Sequence, residues 1–178
     1  MIPFMTGKQF RVLREILDHG NERVSVADTA KRANASKATV SLIAGRLKRS
    51  GILKKNLELN LSKFTTRALK IVINAYRLSP LIPLIKSSLK DARGIGVYGS
   101  WADGTNTRKS DLDLWARCKL APSLKEVAAL ERVIRKRYGI DVQILALDDA
   151  RFKALKESDS NFYHAIANSK VVWGTLYD

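Results

Sequence analysis

The sequence has little of what disulfide, histidine-metal or membrane proteins need. Its single cysteine, Cys118, excludes an internal disulfide, and we expect a small buried residue in a reducing cytoplasm. The two histidines, His19 and His164, are far apart and lack partners at metal-ligand spacing. No apolar run approaches the roughly 20 residues of a membrane span, and the N-terminus lacks a charged-then-apolar signal pattern. We therefore expect a cytoplasmic protein with no membrane segment.

Acidic residues are scarce, and they are scarcest in the first half of the chain. The 178 residues include 32 Lys or Arg but only 17 Asp or Glu, for a net charge of +15. Residues 1–93 hold 19 basic and 6 acidic residues, whereas residues 94–178 hold 13 and 11. This asymmetry indicates a polyanion partner for the first half, with nucleic acid the first candidate. The alternative is a broadly basic protein without a specific partner.

The first 61 residues have the spacing of three helices followed by a hairpin. Apolar residues recur at helical spacing over 7–19, and Val24 to Val26 have the composition of a short strand. Ser25 precedes a second short helix, Ser36 is a good N-cap for a third, and Gly51 is suited to end the third. The run ILKKNLELNL then predicts two extended segments that turn near Lys55 and Asn56.

This layout is that of a winged helix-turn-helix, and SKATVSLIAGRLKRSGILKK resembles the recognition helix and wing of many prokaryotic transcription regulators. The resemblance implies a third helix in the major groove of double-stranded DNA and a wing at the phosphates. The predicted base-contacting residues are Ser36, Lys37, Thr39 and Ser41, the phosphate-contacting residues are Lys48, Arg49, Lys54 and Lys55, and Arg46 joins either set. The alternatives are a winged helix that contacts protein and a basic face that is only solvated.

Residues 62–79 predict a connector helix that ends at Ser79-Pro80. Its apolar residues at helical spacing are Phe64, Ala68, Ile71, Val72, Ala75 and Tyr76. This face is expected either to form a homodimer contact or to pack on the core of its own chain. The domain boundaries that follow are 1–61 for the DNA-binding domain, 62–79 for the connector and 80–178 for a second domain.

Helix and strand patterns alternate in the second domain. This order predicts an α/β or α+β fold, with helices packed on a small sheet. The predicted elements are a helix over 81–92, the strand GIGVYG, a helix over 123–138 capped by Ser123, the strand DVQILAL, a helix from Asp148 to Leu155, a helix capped by Ser160, and the strand VVWG.

The stretch VYGSWADGTNTRKSDLDLWAR, residues 97–117, carries the chemistry of this domain. Asp111 and Asp113 are two apart in a predicted strand, so both carboxylates project to one face while Leu112 and Leu114 point into a core. Like charges side by side are costly unless a cation neutralises them, and Mg²⁺ prefers carboxylates together with phosphate oxygens. The Gly-Ser turn at 99–100 lets backbone N–H groups approach an anion. Two solvated acids on an edge strand are the alternative.

An apolar residue, Gly-Ser, about ten residues and then Asp-x-Asp resembles the nucleotidyltransferases of the DNA polymerase beta superfamily. Residues 80–178 are similar to the minimal nucleotidyltransferase (MNT) group in particular, which implies a small mixed sheet. The resemblance implies that Asp111, Asp113 and a third acid, Asp141, bind the metal and carry catalysis. It also implies nucleotide contacts from Gly99, Ser100, Arg108, Lys109 and Ser110.

Asp103 and Trp101, near the Gly-Ser turn, both bear on nucleotide binding. Many minimal members have Ala-Arg-Gly after this turn, whereas this chain has Ala102-Asp103-Gly104, so an acid replaces a base near the expected triphosphate. Arg108 and Lys109 are the candidates to supply the missing charge. Trp101 either stacks on a base or belongs to the core.

The resemblance implies transfer of a nucleoside monophosphate from a nucleoside triphosphate, ATP first, to an acceptor hydroxyl with Mg²⁺ or Mn²⁺. One form of this function is an antitoxin that modifies a HEPN-type toxin with AMP and controls its own promoter. A second is a transcription regulator whose transferase domain only senses nucleotide. A third is an enzyme that acts on nucleic acid or on a small molecule such as an aminoglycoside.

Overall fold

The computed structural model describes residues 6–20 and 22–177. Their contacts divide the chain into two compact units. The first comprises the chain up to Tyr76 together with Gly104–Lys109, and the second comprises Arg77–Asp103 and the chain from Ser110 onward. The short segment 104–109, which immediately precedes the predicted Asp pair, thus belongs to the first unit.

Helices dominate the first unit. They are α1 (Gly7–Leu17), α2 (Val26–Ala33), α3 (Lys37–Arg49) and most of α4 (Phe64–Leu78). Ser36 caps α3 as the sequence predicts, and Ser25 caps α2. Each side chain accepts a hydrogen bond from the backbone N–H three residues on. Asn34, in the left-handed conformation, ends α2 two residues before the next cap, and this forms the tight α2–α3 turn.

The extended segments around these helices are shorter than predicted. The predicted hairpin is reduced to one antiparallel bridge between Leu53 and Leu59. The predicted short strand at Val24 to Val26 is wrong: Val26 is already helical, and Val24 donates one backbone hydrogen bond to Leu57. Ser25 is the N-cap of α2, so the chain enters the helix at this residue instead of continuing as a strand. Asn21, predicted to help end the first helix, lies outside the described residues.

The apolar face predicted for α4 is not the buried face of the helix, and a homodimer contact through it stays a prediction. Phe64 is 74% exposed and Val72 is 49% exposed, whereas Ile73 is the buried apolar residue of the helix within the first unit. The other buried residues of this face are polar, namely Thr66, Lys70 and Asn74. An apolar pattern cannot find such a face, because the partners of Lys70 and Asn74 come from distant parts of the chain.

The second unit is built on a four-stranded mixed sheet in the order β3-β2-β1-β4. The strands are β1 (Ala92–Tyr98), β2 (Leu112–Cys118), β3 (Val142–Leu147) and β4 (Lys170–Gly174). The helices are α5 (Leu81–Ser88), α6 (Gly99–Asp103), α7 (Leu124–Tyr138), α8 (Asp149–Ser158) and α9 (Ser160–Ala167). β1 runs antiparallel to β2 and β4, while β2 and β3 are parallel. The predicted α/β class with a small mixed sheet is confirmed.

Two local predictions in this unit are corrected. The chain after β1 is not a turn followed by loop but starts the short helix α6 at Gly99. The cap of α9 is Asp159 rather than Ser160, because its carboxylate accepts from Phe162 N at 2.9 Å. Ser123 caps α7 as predicted, and the structure adds a capping box with Glu126.

Both faces of the sheet are covered, by different clusters. Leu112, Leu114 and Ala116 of β2 point into the larger core, which confirms the prediction for the two leucines. Trp115, on the opposite face, packs with Leu147, Ile166 and Leu176. Asp113 shares the Trp115 face, because alternate residues of a strand point to the same side. Asp113 therefore lies at the edge of the Trp115 cluster, where it is only partly buried.

No single helix in the described parts of the chain is long and apolar enough to cross a membrane; α4 and α5 taken together as a bent pair meet the length and composition test.

Candidate active site

Asp111 and Asp113 lie at the start of β2. Asp113 is the second residue of the strand and is partly buried, whereas Asp111 just precedes the strand and is exposed. Burial raises the pKa of Asp113, and the negative charge of Asp111 raises it further. The two carboxylates are therefore close enough to repel each other, as the sequence spacing predicts.

The Gly-Ser turn lies directly against this pair. Tyr98, the last residue of β1, is registered with Asp113 on β2, and Gly99 follows it with a φ of +63°. A Cβ at residue 99 would lie 2.7 Å from Oδ2 of Asp113, so only glycine brings the backbone this close to the carboxylate. The structure thus brings Gly99, Ser100 at the start of α6 and Asp113 into one small region.

Tyr98 was not among the predicted functional residues, and its electrostatics tie it to the site. Burial, followed by the nearby charge of Asp113, raises the pKa of the Tyr98 hydroxyl to about 12. An open cleft of about 420 Å³ adjoins Tyr98 and Gly99. Its lining residues are Tyr98, Gly99, Ala102, Asp103, Asn161, His164, Ala165, Asn168 and Ser169.

The predicted third acid, Asp141, is not brought into a cluster with the pair. Its carboxylate forms an ion pair with Arg135 of α7, and its backbone carbonyl accepts a hydrogen bond from Leu112 N at 2.8 Å. The residue registered with Asp113 on β3 is Gln143. Its side-chain amide donates to Oδ2 of Asp111 at 3.4 Å.

Arg108, predicted to contact nucleotide, is engaged within the first unit. Its guanidinium pairs with the buried Glu15 at 2.8 Å, and its backbone N–H donates to Asp18 O at 3.0 Å. Lys109 is exposed, with its backbone N–H bound to Thr107 Oγ1 at 3.3 Å. Ser110 accepts at its carbonyl from Trp101 Nε1 at 3.5 Å. Nucleotide contact by these residues stays a prediction.

Trp101 is 2% exposed and belongs to the larger core, so the core interpretation is confirmed over base stacking. The guanidinium of Arg77 lies 4.4 Å from the centre of its ring. This contact is a cation–π interaction inside the second unit.

The donor set of the site fits a divalent cation. Two carboxylates offer hard oxygen ligands of the kind that Mg²⁺ and Mn²⁺ prefer, and a cation would relieve the repulsion that raises the pKa of Asp113. Over residues 6–20 and 22–177, no group of three or more His, Cys, Asp or Glu is placed to hold a metal. The site thus offers two acids rather than three.

Most of the predicted DNA-contacting residues are exposed, and they lie on α3 and on the segment around the Leu53–Leu59 bridge. The exposed members are Ser36, Lys37, Ser41, Arg46, Lys48, Arg49, Lys54 and Lys55, and Thr39 is half-buried. The hydroxyls of Ser36 and Thr39 lie 2.9 Å apart, and Ser36 also caps the helix. Lys54 forms an exposed ion pair with Glu58 at 3.6 Å. DNA contact by these residues stays a prediction.

Comparison with known proteins gives structural likenesses only. No protein-family model matches the sequence, and no curated protein matches it. A toxin–antitoxin structure with AMP-PNP is similar with a TM-score of 0.45 and 19% identity, over 58% of this chain and 75% of that one. A tri-AMPylated Shewanella oneidensis HEPN toxin in complex with MNT antitoxin is similar with a TM-score of 0.43 and 14% identity, over 57% and 73%. An MntA–HepT toxin–antitoxin structure is similar with a TM-score of 0.40 and 15% identity, over 58% and 72%.

The sequence carries a signal for Gln143 that the search for a third acid overlooks. Gln143 is two residues after Asp141, so the same strand alternation that places Asp111 beside Asp113 places Gln143 on the Asp141 face. The ion pairs of Asp141 with Arg135 and of Arg108 with Glu15 could not be predicted in this way. Neither pair lies within one strand or one helix, so no regular spacing relates its two residues.

Proposed function

We propose that this chain is a divalent-metal-dependent nucleotidyltransferase that transfers a nucleoside monophosphate, AMP first, to an acceptor hydroxyl. The observation that carries the proposal is the approach of Gly99 to the carboxylate of Asp113, which places the Gly-Ser turn and the Asp pair in one region. Two carboxylates that repel each other would be a poor structural device, since they make the apo protein less stable.

Asp111 and Asp113 would hold the cation, and Gly99 and Ser100 would receive phosphate oxygens. A bound divalent cation supplies charge neutralisation at the phosphates and lowers the pKa of an attacking hydroxyl. The chain itself would contribute position, because Asp113 is held in β2 directly after Asp111, and the absence of a side chain at Gly99 lets the backbone approach the Asp113 carboxylate.

Transfer is tested with ATP labelled at the α-phosphate and, in parallel, at the γ-phosphate. Full-length protein, Mg²⁺ and cell extract as acceptor source should give an acceptor labelled from the α position only, since AMP transfer releases pyrophosphate. Asp111→Asn and Asp113→Asn should abolish the label, and Asp91→Asn, at the far end of β1, should retain it. Label from the γ-phosphate would instead indicate a kinase, and nucleotide binding without label would support the sensor alternative.

The acceptor we propose is a HEPN-type toxin, which follows from the resemblance to minimal nucleotidyltransferases. Identification of the labelled species separates this from the remaining alternative. A labelled HEPN protein supports the antitoxin, while labelled nucleic acid or aminoglycoside supports the third form of the function. The first unit would then control the promoter of the pair.

We further propose that the first unit is a winged helix-turn-helix that binds double-stranded DNA. The support is the Ser36-capped α3, the bridge at Leu53 and Leu59, and the net charge of +13 over residues 1–93. Lys37 and Ser41 are exposed at the start of α3, where a recognition helix meets base edges.

DNA binding of the full chain should fall with rising salt, because lysines and arginines displace counterions from the phosphates. Replacing Lys54 and Lys55 with alanine should reduce the slope of log affinity against log salt by about 2, since each phosphate contact contributes about 0.9. The matched control replaces Lys125 and Lys136 of α7, which are exposed in the other unit, and should leave the slope unchanged. Equal slopes for both double variants would remove this surface from DNA binding.

A further inference from the structure

The register of β2 and β3 decides which residue stands beside the Asp pair. The two strands are parallel, and Asp113 is registered with Gln143, as Leu112 is with Val142. Registered residues of adjacent strands point to the same face. Leu145 and Leu147, on the same face of β3 as Gln143, pack in the cluster of Trp115, which shares its face with Asp113. Gln143 therefore lies on the Asp113 face, at the open end of the sheet.

The side-chain contacts agree with the strand register in placing Gln143 beside the Asp pair. Gln143 donates its amide to Asp111 at 3.4 Å, whereas the carboxylate of Asp141 is held by Arg135. Within the described chain, the pair has no third acid or histidine placed with it to hold a metal. A neutral amide thus contacts the pair, while the carboxylate of Asp141, one position earlier on the same face, pairs with Arg135.

We propose that Gln143, rather than Asp141, completes the metal site of Asp111 and Asp113, an inference that rests on the proposed function. Its amide N–H₂ group orients the Asp111 carboxylate, and its amide oxygen is a neutral ligand of the kind that hard divalent cations accept. The site then carries two negative charges instead of three. Fewer ligand charges lower cation affinity, so this chain holds its metal chiefly together with the triphosphate.

Metal binding without nucleotide tests this directly. Calorimetric titration of the full chain with Mn²⁺ compares wild type with Gln143→Glu, Gln143→Ala and Asp141→Asn. We expect Gln143→Glu to bind Mn²⁺ at least about tenfold more tightly because a ligand charge is added, and Gln143→Ala to bind about tenfold more weakly. Asp141→Asn should stay within about twofold of wild type. Loss of affinity in Asp141→Asn, with Gln143→Glu unchanged, would overturn the proposal.

A metal-free measurement separates this inference from the proposed function. In EDTA, Gln143→Glu puts a third carboxylate beside two others and should melt at a lower temperature than wild type, with Mn²⁺ reversing the loss. The matched control is Gln9→Glu, which replaces the only other glutamine at a position where glutamate also suits the capping box, and its melting temperature should not fall. If both variants melt as wild type does in EDTA, Gln143 is not beside the pair and the inference fails. A third outcome is that wild type neither binds Mn²⁺ nor transfers AMP, while Gln143→Glu still melts at a lower temperature than wild type in EDTA. In that case the proposed function fails, but Gln143 is still shown to lie beside the two carboxylates.

Discussion

Lys70 in the first unit and Asp113 in the second are charged residues with opposite surroundings. Lys70 is 1% exposed, and its Nζ donates to Leu17 O at 2.7 Å and to Asn106 O at 2.5 Å. Asp113 is only partly buried, and the nearest charge that acts on it, Asp111, has the same sign. The contacts of Lys70 come from the chain itself, whereas the proposed function needs a cation to neutralise Asp113. Removing the partner of a buried charged group is costly, and a carboxylate with a raised pKa in a cleft is a candidate for a functional site.

The contacts of Lys70 come from two distant parts of the chain, the end of α1 and the segment 104–109. Leu17 is the last residue of α1, whose end carbonyls lack helical partners, so a lysine ammonium there also complements the helix dipole. Asn106 comes from the segment 104–109, and its side chain bonds to Asn74 of α4 at 2.9 Å. Lys70 and Asn74 thereby fix the segment that runs into Asp111.

The largest effect should come from Lys70→Met, which keeps the length of the side chain and removes its donor. Two buried carbonyls would lose their partner, and each such group costs about 1–3 kcal/mol, so the free energy of unfolding should fall by roughly 2–6 kcal/mol. Urea denaturation measures it. Lys125→Met, at an exposed position on α7, is the control and should change stability by less than about 0.5 kcal/mol. Equal stability of the two variants would mean that the Lys70 charge is not structural.

This contrast also shows how far the sequence leads. The four strands of the sheet, the caps at Ser36 and Ser123, and the proximity of Asp111 and Asp113 all follow from local rules of spacing and capping. The polar inner face of α4 does not, since Lys70 finds Leu17 and Asn106 53 and 36 residues away. The side-chain contacts of Asp141 and Gln143 do not follow from local rules either, since Asp141 pairs with Arg135 and Gln143 donates to Asp111.

A second, smaller effect is expected for Gly99→Ala. Alanine at a φ of +63° costs about 1–2 kcal/mol, and its Cβ would press on the carboxylate of Asp113 at 2.7 Å. We therefore expect a loss of stability together with Mn²⁺ affinity that is weaker by about tenfold.

Gly139→Ala is its matched control. Gly139 has a φ of +64°, but a Cβ there would meet nothing within 4 Å. It should carry a similar backbone cost and leave Mn²⁺ binding unchanged. If both variants bind Mn²⁺ equally well, the close approach of Gly99 to Asp113 does not shape the site.

The smallest effect concerns Asp113→Asn in the metal-free protein. The pKa of Asp113 is raised in the folded state, so the folded protein favours the protonated form and stability is lost as pH rises through that pKa. Asparagine removes this loss. In EDTA the variant should match wild type near pH 3 and melt at an equal or slightly higher temperature at pH 7. The gain should not exceed about 2–4 °C, the shift that 1 kcal/mol produces in a chain of this size.

The most direct measurement is a set of four melting curves at pH 7, for wild type and Asp113→Asn, each with EDTA and with Mg-ATP. A metal site at Asp111 and Asp113 predicts that Mg-ATP raises the melting temperature of wild type, since a ligand that binds only the folded state stabilises it. It predicts no such rise for Asp113→Asn, whose curve in EDTA should lie at or above that of wild type. A clear drop of the variant in EDTA, with the Mg-ATP rise intact, would contradict the metal site and make Asp113 a structural residue like Lys70.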